Sequence, residues 1–270
     1  MSSIRTLLVQ LDATPSAAAR LHSALALATQ HRALLTGVFA ASPPAAALAA
    51  TVSDRPAALL LRADRAAYED AHALFESARG GSTAEMRWRA PGPDGALADV
   101  CEEAAYADLL VLGAHDPALA QGTPSGLVDE VLRTSGRPAL VMPPGAVPSP
   151  PSQVVLVGWD ASAAAARALA AAQPLLQEAR RVLVLDGTPS GRDDGRIRDY
   201  LQRHGIAAQI VPWPHAAQAP GEALLALARR DGVDLLVMGC HGHGRLHELL
   251  FGSTTCSVLQ RPPLPLLLAH

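Results

Sequence analysis

The hydrophobic positions of the chain form short continuous runs separated by longer amphipathic segments. Runs such as Val182–Leu185 and Leu235–Met238 contain no polar residue, a pattern typical of parallel strands that are buried on both faces. Between the runs lie segments with helical character, at 14–30, 55–79, 95–106, 162–178, 192–204 and 219–230. This alternation predicts an α/β fold with open, doubly wound, mostly parallel sheets.

The same pattern occurs twice along the chain. In each copy an apolar strand ends in an Asp, Asp12 or Asp160, and an alanine-rich helix follows. A second strand, ending at Gly113 or Gly239, and a short final strand repeat as well: the matching pairs are 4–12 with 153–160, 107–113 with 233–239, and 138–142 with 265–268. We therefore expect two five-stranded sheets, one per repeat.

A proline-rich stretch separates the two copies. It cannot be helical and is expected to act as a semi-rigid linker. We place the first repeat at 1–145, the linker at 146–152 and the second repeat at 153–270.

The most informative segment of the second repeat is the glycine-rich loop that starts at Gly239. Ligands of doubly wound sheets bind at the carboxyl ends of the strands, where Asp12, Asp160, Gly113 and Gly239 are all predicted to lie. Glycine amides followed by a helix form a site for anions. Ser253 and Thr254 add hydroxyl donors to this loop.

The spacing Gly239-x2-Gly242-x9-Gly252-Ser253 resembles the nucleotide-binding motif of the universal stress protein family, and Val154–Asp160 resembles that family's first strand. The resemblance covers both repeats and implies a tandem form with a Rossmann-like fold of the adenine nucleotide alpha hydrolase type. It implies that ATP, with or without Mg²⁺, binds the second repeat, with Asp160 near the adenine and ribose. The residues implied to bind the nucleotide are Asp160, Leu185, Met238, Gly239, His241, Gly242, Gly252, Ser253 and Thr254.

The first repeat departs from this motif at two positions. Asp116 stands where the second glycine belongs, and Leu127 stands in place of the serine. A carboxylate 4 Å from a phosphate charge repels it by roughly 4 kcal/mol at an effective dielectric constant of about 20. The first repeat is therefore expected to be degenerate and not to bind ATP in this mode.

Composition narrows the possible functions. All 22 basic residues are arginine, and the formal net charge is −3. The absence of lysine excludes Schiff-base chemistry and a P-loop lysine, so phosphates would be held by amides, hydroxyls and Arg245. The charge balance argues against a nucleic-acid partner. The apolar segments predict no membrane span, and we expect a cytoplasmic protein with reduced cysteines.

The glycine-rich loop also carries a cluster of possible metal ligands: Cys240, His241, His243 and His247. We expect these side chains to line the mouth of the nucleotide pocket rather than to bind zinc. The main hypothesis is a nucleotide-dependent stress-response regulator, whose protein partner is unknown. The alternatives are a slow ATPase or adenylyl-transfer enzyme using His241 or His243, and a zinc or small-metabolite binding module. The resemblance implies pairing through the last strands, either within one chain or in a homodimer.

Overall fold

The computed structural model describes residues 4–42, 56–119, 121–145, 153–188, 195–213, 220–240 and 262–270. The predictions for His241, Gly242, Gly252, Ser253 and Thr254, and for Arg245, His243 and His247, concern residues outside these ranges.

Strands and helices alternate through the first repeat as the apolar pattern predicts. Its elements are β1 (Thr6–Leu11), α1 (Ser16–His31), β2 (Leu34–Phe39), α2 (Pro56–Gly80), β3 (Met86–Arg89), α3 (Ala96–Ala104), β4 (Leu109–Gly113), α4 (Leu127–Ser135) and β5 (Ala139–Met142).

The second repeat has the same alternation. Its elements are β6 (Val154–Trp159), α5 (Ala163–Glu178), β7 (Arg181–Asp186), α6 (Arg196–Arg203), β8 (Ala208–Pro212), α7 (Pro220–Asp231), β9 (Leu235–Gly239) and β10 (Leu266–Ala269). None of the helices in the described part of the chain is long and apolar enough to cross a membrane.

The described residues divide into two compact units. The first unit runs from Ile4 to Arg137 and resumes at Met142, with parallel strands in the order β3-β2-β1-β4. The second unit contains the second repeat together with Pro138–Val141, in the order β5-β10-β9-β6-β7-β8. In this second unit β5 runs antiparallel to β10, with Leu140 opposite Leu267, while the other strand pairs are parallel.

The central strands form the core of each unit. In β1 and β6, every residue between the first and the last is buried, because helices cover the sheet on both faces. The α/β fold with a mostly parallel, doubly wound sheet is thus confirmed. The apolar runs did not indicate the edge strands β3 and β8, which contain exposed polar residues and have no fully buried position.

The register of the strands makes the two repeats directly comparable. Val9 pairs with Val111 across β1 and β4, and Val157 pairs with Val237 across β6 and β9. Counting from these pairs, Gln10 corresponds to Gly158, Asp12 to Asp160, and Gly113 to Gly239. The aspartates just before β4 and β9 make matching contacts in the two repeats. Asp108 accepts hydrogen bonds from the amides of Arg5 and Thr6, and Asp234 accepts them from the amides of Gln153 and Val154.

Candidate functional site

The carboxyl ends of β6 and β9 bring Asp160 and Gly239 to the same edge of the sheet. These two strands are hydrogen-bonded neighbours, and the chain leaves them towards opposite sides of the sheet, with β7 beyond β6 and β10 beyond β9. This is the switch point at which doubly wound sheets bind ligands. Asp160 and Gly239 are both partly exposed there.

Gly239 lies against the first turn of α5. A Cβ atom at this position would lie 2.5 Å from the amide nitrogen of Ala165 and 2.6 Å from the carbonyl carbon of Ala164. Both are backbone atoms that a side chain cannot push aside, so only glycine fits. The close approach places the end of β9 beside a helix N-terminus, where backbone amides favour an anion.

Asp160 fixes the turn that leads into α5. Its Oδ1 accepts a hydrogen bond from the amide of Ser162 at 2.9 Å, and the Ser162 hydroxyl caps the helix by accepting from the amide of Ala165 at 3.1 Å. Ala161 between them has a positive φ of 60°. The carboxylate is therefore held at the rim of the sheet by local hydrogen bonds.

Leu185 and Met238 lie one layer below this rim. Each is 1% exposed. Leu185 pairs with Gly158 across β7 and β6, and a Cβ at Gly158 would lie 3.8 Å from the Cβ of Met238. The three residues therefore form one row across the sheet, with a glycine at its centre.

Residues at the ends of β7 and β8 also lie at this rim, although the nucleotide-binding motif does not include them. Asp186 accepts hydrogen bonds from the amide and hydroxyl of Thr188 at 2.9 and 2.7 Å. The amide of Gly187 donates to the carbonyl of Trp159 at 2.7 Å, and the ring of Trp213 lies 3.3 Å from where a Cβ of Gly187 would be. A tryptophan thus covers the glycine at the end of β7.

Cys240 is the member of the histidine and cysteine cluster that the structure describes. It is 1% exposed, and its thiol donates to the carbonyl oxygen of Ala269 at 3.4 Å. Among the described residues, no group of three or more His, Cys, Asp or Glu side chains is placed to hold a metal ion.

The corresponding place in the first repeat is occupied by the protein's own side chains. Asp12 is 2% exposed and forms a salt bridge of 2.7 Å with Arg20, which is also 2% exposed. The Nε of Arg20 donates to the carbonyl oxygen of Gln10 at 2.6 Å. Thr14 and Thr123 donate their hydroxyls to the Asp12 carboxylate at 2.6 and 3.0 Å.

Gln10 completes this buried network. Its side-chain amide donates to the carbonyl oxygen of Ala40 at 2.6 Å and to Asp12 at 3.2 Å, and its oxygen accepts from the amide of Gly113 at 3.0 Å. The cavity that remains between Asp12, Arg20, Asp116 and Thr123 has a volume of about 10 Å³. That is the space of about one water molecule.

Comparison with known proteins identifies the group to which the chain belongs. The sequence profile of the universal stress protein family matches residues 3–143 and 193–270. The chain belongs to the universal stress protein family. One matched segment lies in each repeat, as expected of a tandem member.

Two curated relatives and one solved structure agree with this assignment. Universal stress protein Slr1230 of Synechocystis sp. is 27% identical over 169 residues, which are 59% of this chain and 57% of the relative. Universal stress protein MJ0577 of Methanocaldococcus jannaschii is 40% identical over 48 residues, 18% of this chain and 30% of the relative. The chain thus spans little more than half the length of the first relative and under a third of the second.

The fold is also that of a solved member of the family. The crystal structure of a universal stress protein from Archaeoglobus fulgidus DSM 4304 matches with a TM-score of 0.69 at 17% sequence identity, covering 98% of this chain and 95% of that one. At this level of identity the match concerns the fold alone.

In this universal stress protein the structure brings Asp160, Leu185, Met238 and Gly239 together at the carboxyl ends of β6, β7 and β9. No motif in the sequence pointed to Arg20 or Gln10 in the first repeat. A signal for Arg20 existed, because it lies on the same stripe of α1 as Ala17, Leu21 and Ala24, which are all buried. A charged residue on such a stripe requires a buried partner.

Proposed function

We propose that this universal stress protein binds ATP in its second repeat and acts as a nucleotide-dependent regulator. The adenosine would lie at the carboxyl ends of β6 and β7 beside Asp160. The phosphates would face the backbone of Gly239 and, by the motif, Gly242 and Gly252 with the hydroxyls of Ser253 and Thr254. Without lysine, the phosphate charge would be met by amide and hydroxyl donors, with Arg245 as the nearest charge in the motif.

One observation carries this proposal: the two repeats keep the same Asp and Gly but differ in what surrounds them. The first repeat has Gln10 and Arg20 at the positions where the second repeat has Gly158 and Ala168. Gly158 and Ala168 contribute no polar side chain, so these two positions supply no partner for Asp160 like the one that Arg20 supplies for Asp12. This difference supports a ligand in the second repeat and none of the same kind in the first.

We further propose that the site binds ATP rather than turning it over rapidly. Oδ1 of Asp160 accepts a hydrogen bond from the turn before α5, which is a structural role and not that of a general base aimed at a γ-phosphate. Hydrolysis, if measured as release of free phosphate, is expected to be slow.

Calorimetry with ATP on the full chain tests the proposal directly, together with mass spectrometry of the nucleotide that co-purifies. We expect one ATP per chain, and weaker binding in Asp160→Asn and Gly252→Val. The matched control is Asp199→Asn, because Asp199 is exposed on α6 and should not affect binding. Absence of binding, or two ATP per chain, would contradict the proposal.

A further inference from the structure

We propose that Arg20 is the resident ligand of the first repeat: its guanidinium fills the space at the ends of β1 and β4 and binds the end of β1, where a small molecule would otherwise be bound. The proposal concerns the contacts of the first repeat alone, and it does not require the second repeat to bind ATP.

The contacts of Arg20 are those of a bound ligand. The guanidinium donates to a carboxylate, Asp12, and to a backbone carbonyl, that of Gln10, from two different nitrogens. Its third nitrogen, Nη1, lies so close to Gly113 that a Cβ at that position would collide with it. A planar group with fixed N–H donors thus binds the end of β1 and packs against Gly113 at the end of β4.

Burial makes this pairing obligatory. Neither Asp12 nor Arg20 is more than 2% exposed, and an unpaired charge in such a place is strongly unfavourable. The carboxylate of Asp12 would lack its counter-charge without Arg20, and the remaining donors to it, from Gln10, Thr14 and Thr123, are neutral.

The residues that frame this space are alike in the two repeats, whereas the residue that fills it differs. Asp12 and Asp160, Thr14 and Ser162, and Gly113 and Gly239 are the same or similar in the two repeats. Counting along α1 and α5 from the two aspartates, Arg20 corresponds to Ala168. The first repeat therefore keeps the frame of a binding site and supplies the occupant from its own helix.

This arrangement makes the first repeat independent of ligand supply. Its strand-end contacts are the same whether or not a nucleotide is present. The chain then combines one half of constant structure with one half that is open to a ligand.

Chemical rescue tests the proposal. Arg20→Ala removes the guanidinium, and we expect the melting temperature to fall by about 10 °C, with faster hydrogen exchange in peptides covering residues 4–14. Millimolar methylguanidinium should restore much of this loss, whereas the same concentration of sodium chloride should not. The control is Arg133→Ala, which removes an exposed pair with Glu130 of similar length, 2.6 Å, and should change little.

A second variant keeps the test decisive where Arg20→Ala is too unstable to purify. Arg20→Lys keeps the charge but cannot donate to both Asp12 and the Gln10 carbonyl in the same geometry, so it should melt well below the wild-type protein. Wild-type melting of Arg20→Lys, or failure of methylguanidinium to stabilise Arg20→Ala, would overturn the proposal.

Discussion

The charge of Asp12 is maintained by its neighbours. Burial alone would raise the pKa of Asp12, but the charge of Arg20 and the hydrogen bonds from Thr14 and Gln10 outweigh it, so the pKa lies below its ordinary value. Because the folded-state pKa is lower than the unfolded one, the stabilisation is complete above about pH 4 and is lost as the pH falls through the folded-state pKa. Between pH 5 and 7 this group should leave the free energy of unfolding unchanged.

Removing Arg20 should reverse the sign of this pH dependence. In Arg20→Ala, burial dominates and raises the pKa of Asp12, so protonation favours the folded state. The free energy of unfolding should then increase from pH 7 to pH 5 relative to wild type, by up to about 1.4 kcal/mol for each unit of the raised pKa within that range.

Urea unfolding at the two pH values measures this effect. The variants share the other titrating groups. The quantity to compare is therefore the difference in the free energy of unfolding between each variant and the wild type, at pH 5 and at pH 7. In the double variant Arg20→Ala with Asp12→Asn the gain should vanish. A gain that persists in the double variant would show that Asp12 is not its source.

At the level of elements, the helices α1 and α5 occupy the same place in the two repeats but carry different residues towards the strand ends. Ala168 is fully buried on α5, and Ala170 is exposed on the same helix. An arginine like Arg20 can therefore be introduced into the second repeat at Ala168, with Ala170 as the exposed control position.

The variant Ala168→Arg should block the proposed ATP site. An arginine there would be directed to the region of Asp160 and Gly158 and would compete with the nucleotide for it. We expect ATP binding measured by calorimetry to weaken more than tenfold, about 1.4 kcal/mol or more. Ala170→Arg introduces the same residue on the exposed face and should bind as wild type. If Ala168→Arg retains wild-type affinity and a folded circular dichroism spectrum, the proposed position of the nucleotide is wrong.

The strands and helices show what the sequence could predict. The buried runs of β1, β4, β6 and β9 were recognised because both faces are apolar. The edge strand β3, Met86–Arg89, has two arginines among its four residues, so its composition resembles a loop.

The candidate site was predictable only in part. The positions of Asp160 and Gly239 follow from the topology of the sheet, since parallel strands end at the same edge. The sequence predicted from Asp116 and Leu127 that the first repeat does not bind ATP, and this stays a prediction. The structure adds Arg20, whose buried guanidinium pairs with Asp12. The network around Asp12 includes Arg20 from α1 and Thr123, which is far away in the sequence. Only the folded chain brings Thr123 to Asp12.

At the scale of the whole molecule, the two units differ in the residues at their strand ends. The first unit contains a complete internal network at its strand ends, and the second has glycine and alanine at the matching positions. Binding to the folded state alone stabilises a protein by about 2.7 kcal/mol at a ligand concentration of 100 times Kd. This stabilisation should be confined to the unit that binds.

Hydrogen exchange with and without saturating ATP can therefore separate the two halves within one full-length chain. Peptides covering 153–188 and 220–240 should exchange more slowly with ATP, because opening of these segments would release the ligand. Peptides covering 4–42 and 107–116 should exchange at the same rate in both conditions, since Arg20 already ties the strand ends of the first repeat. Asp160→Asn should reduce the protection of the second repeat and leave the first unchanged. Equal ATP-dependent protection in both repeats would mean that the first repeat also takes up nucleotide, despite the arginine in its site.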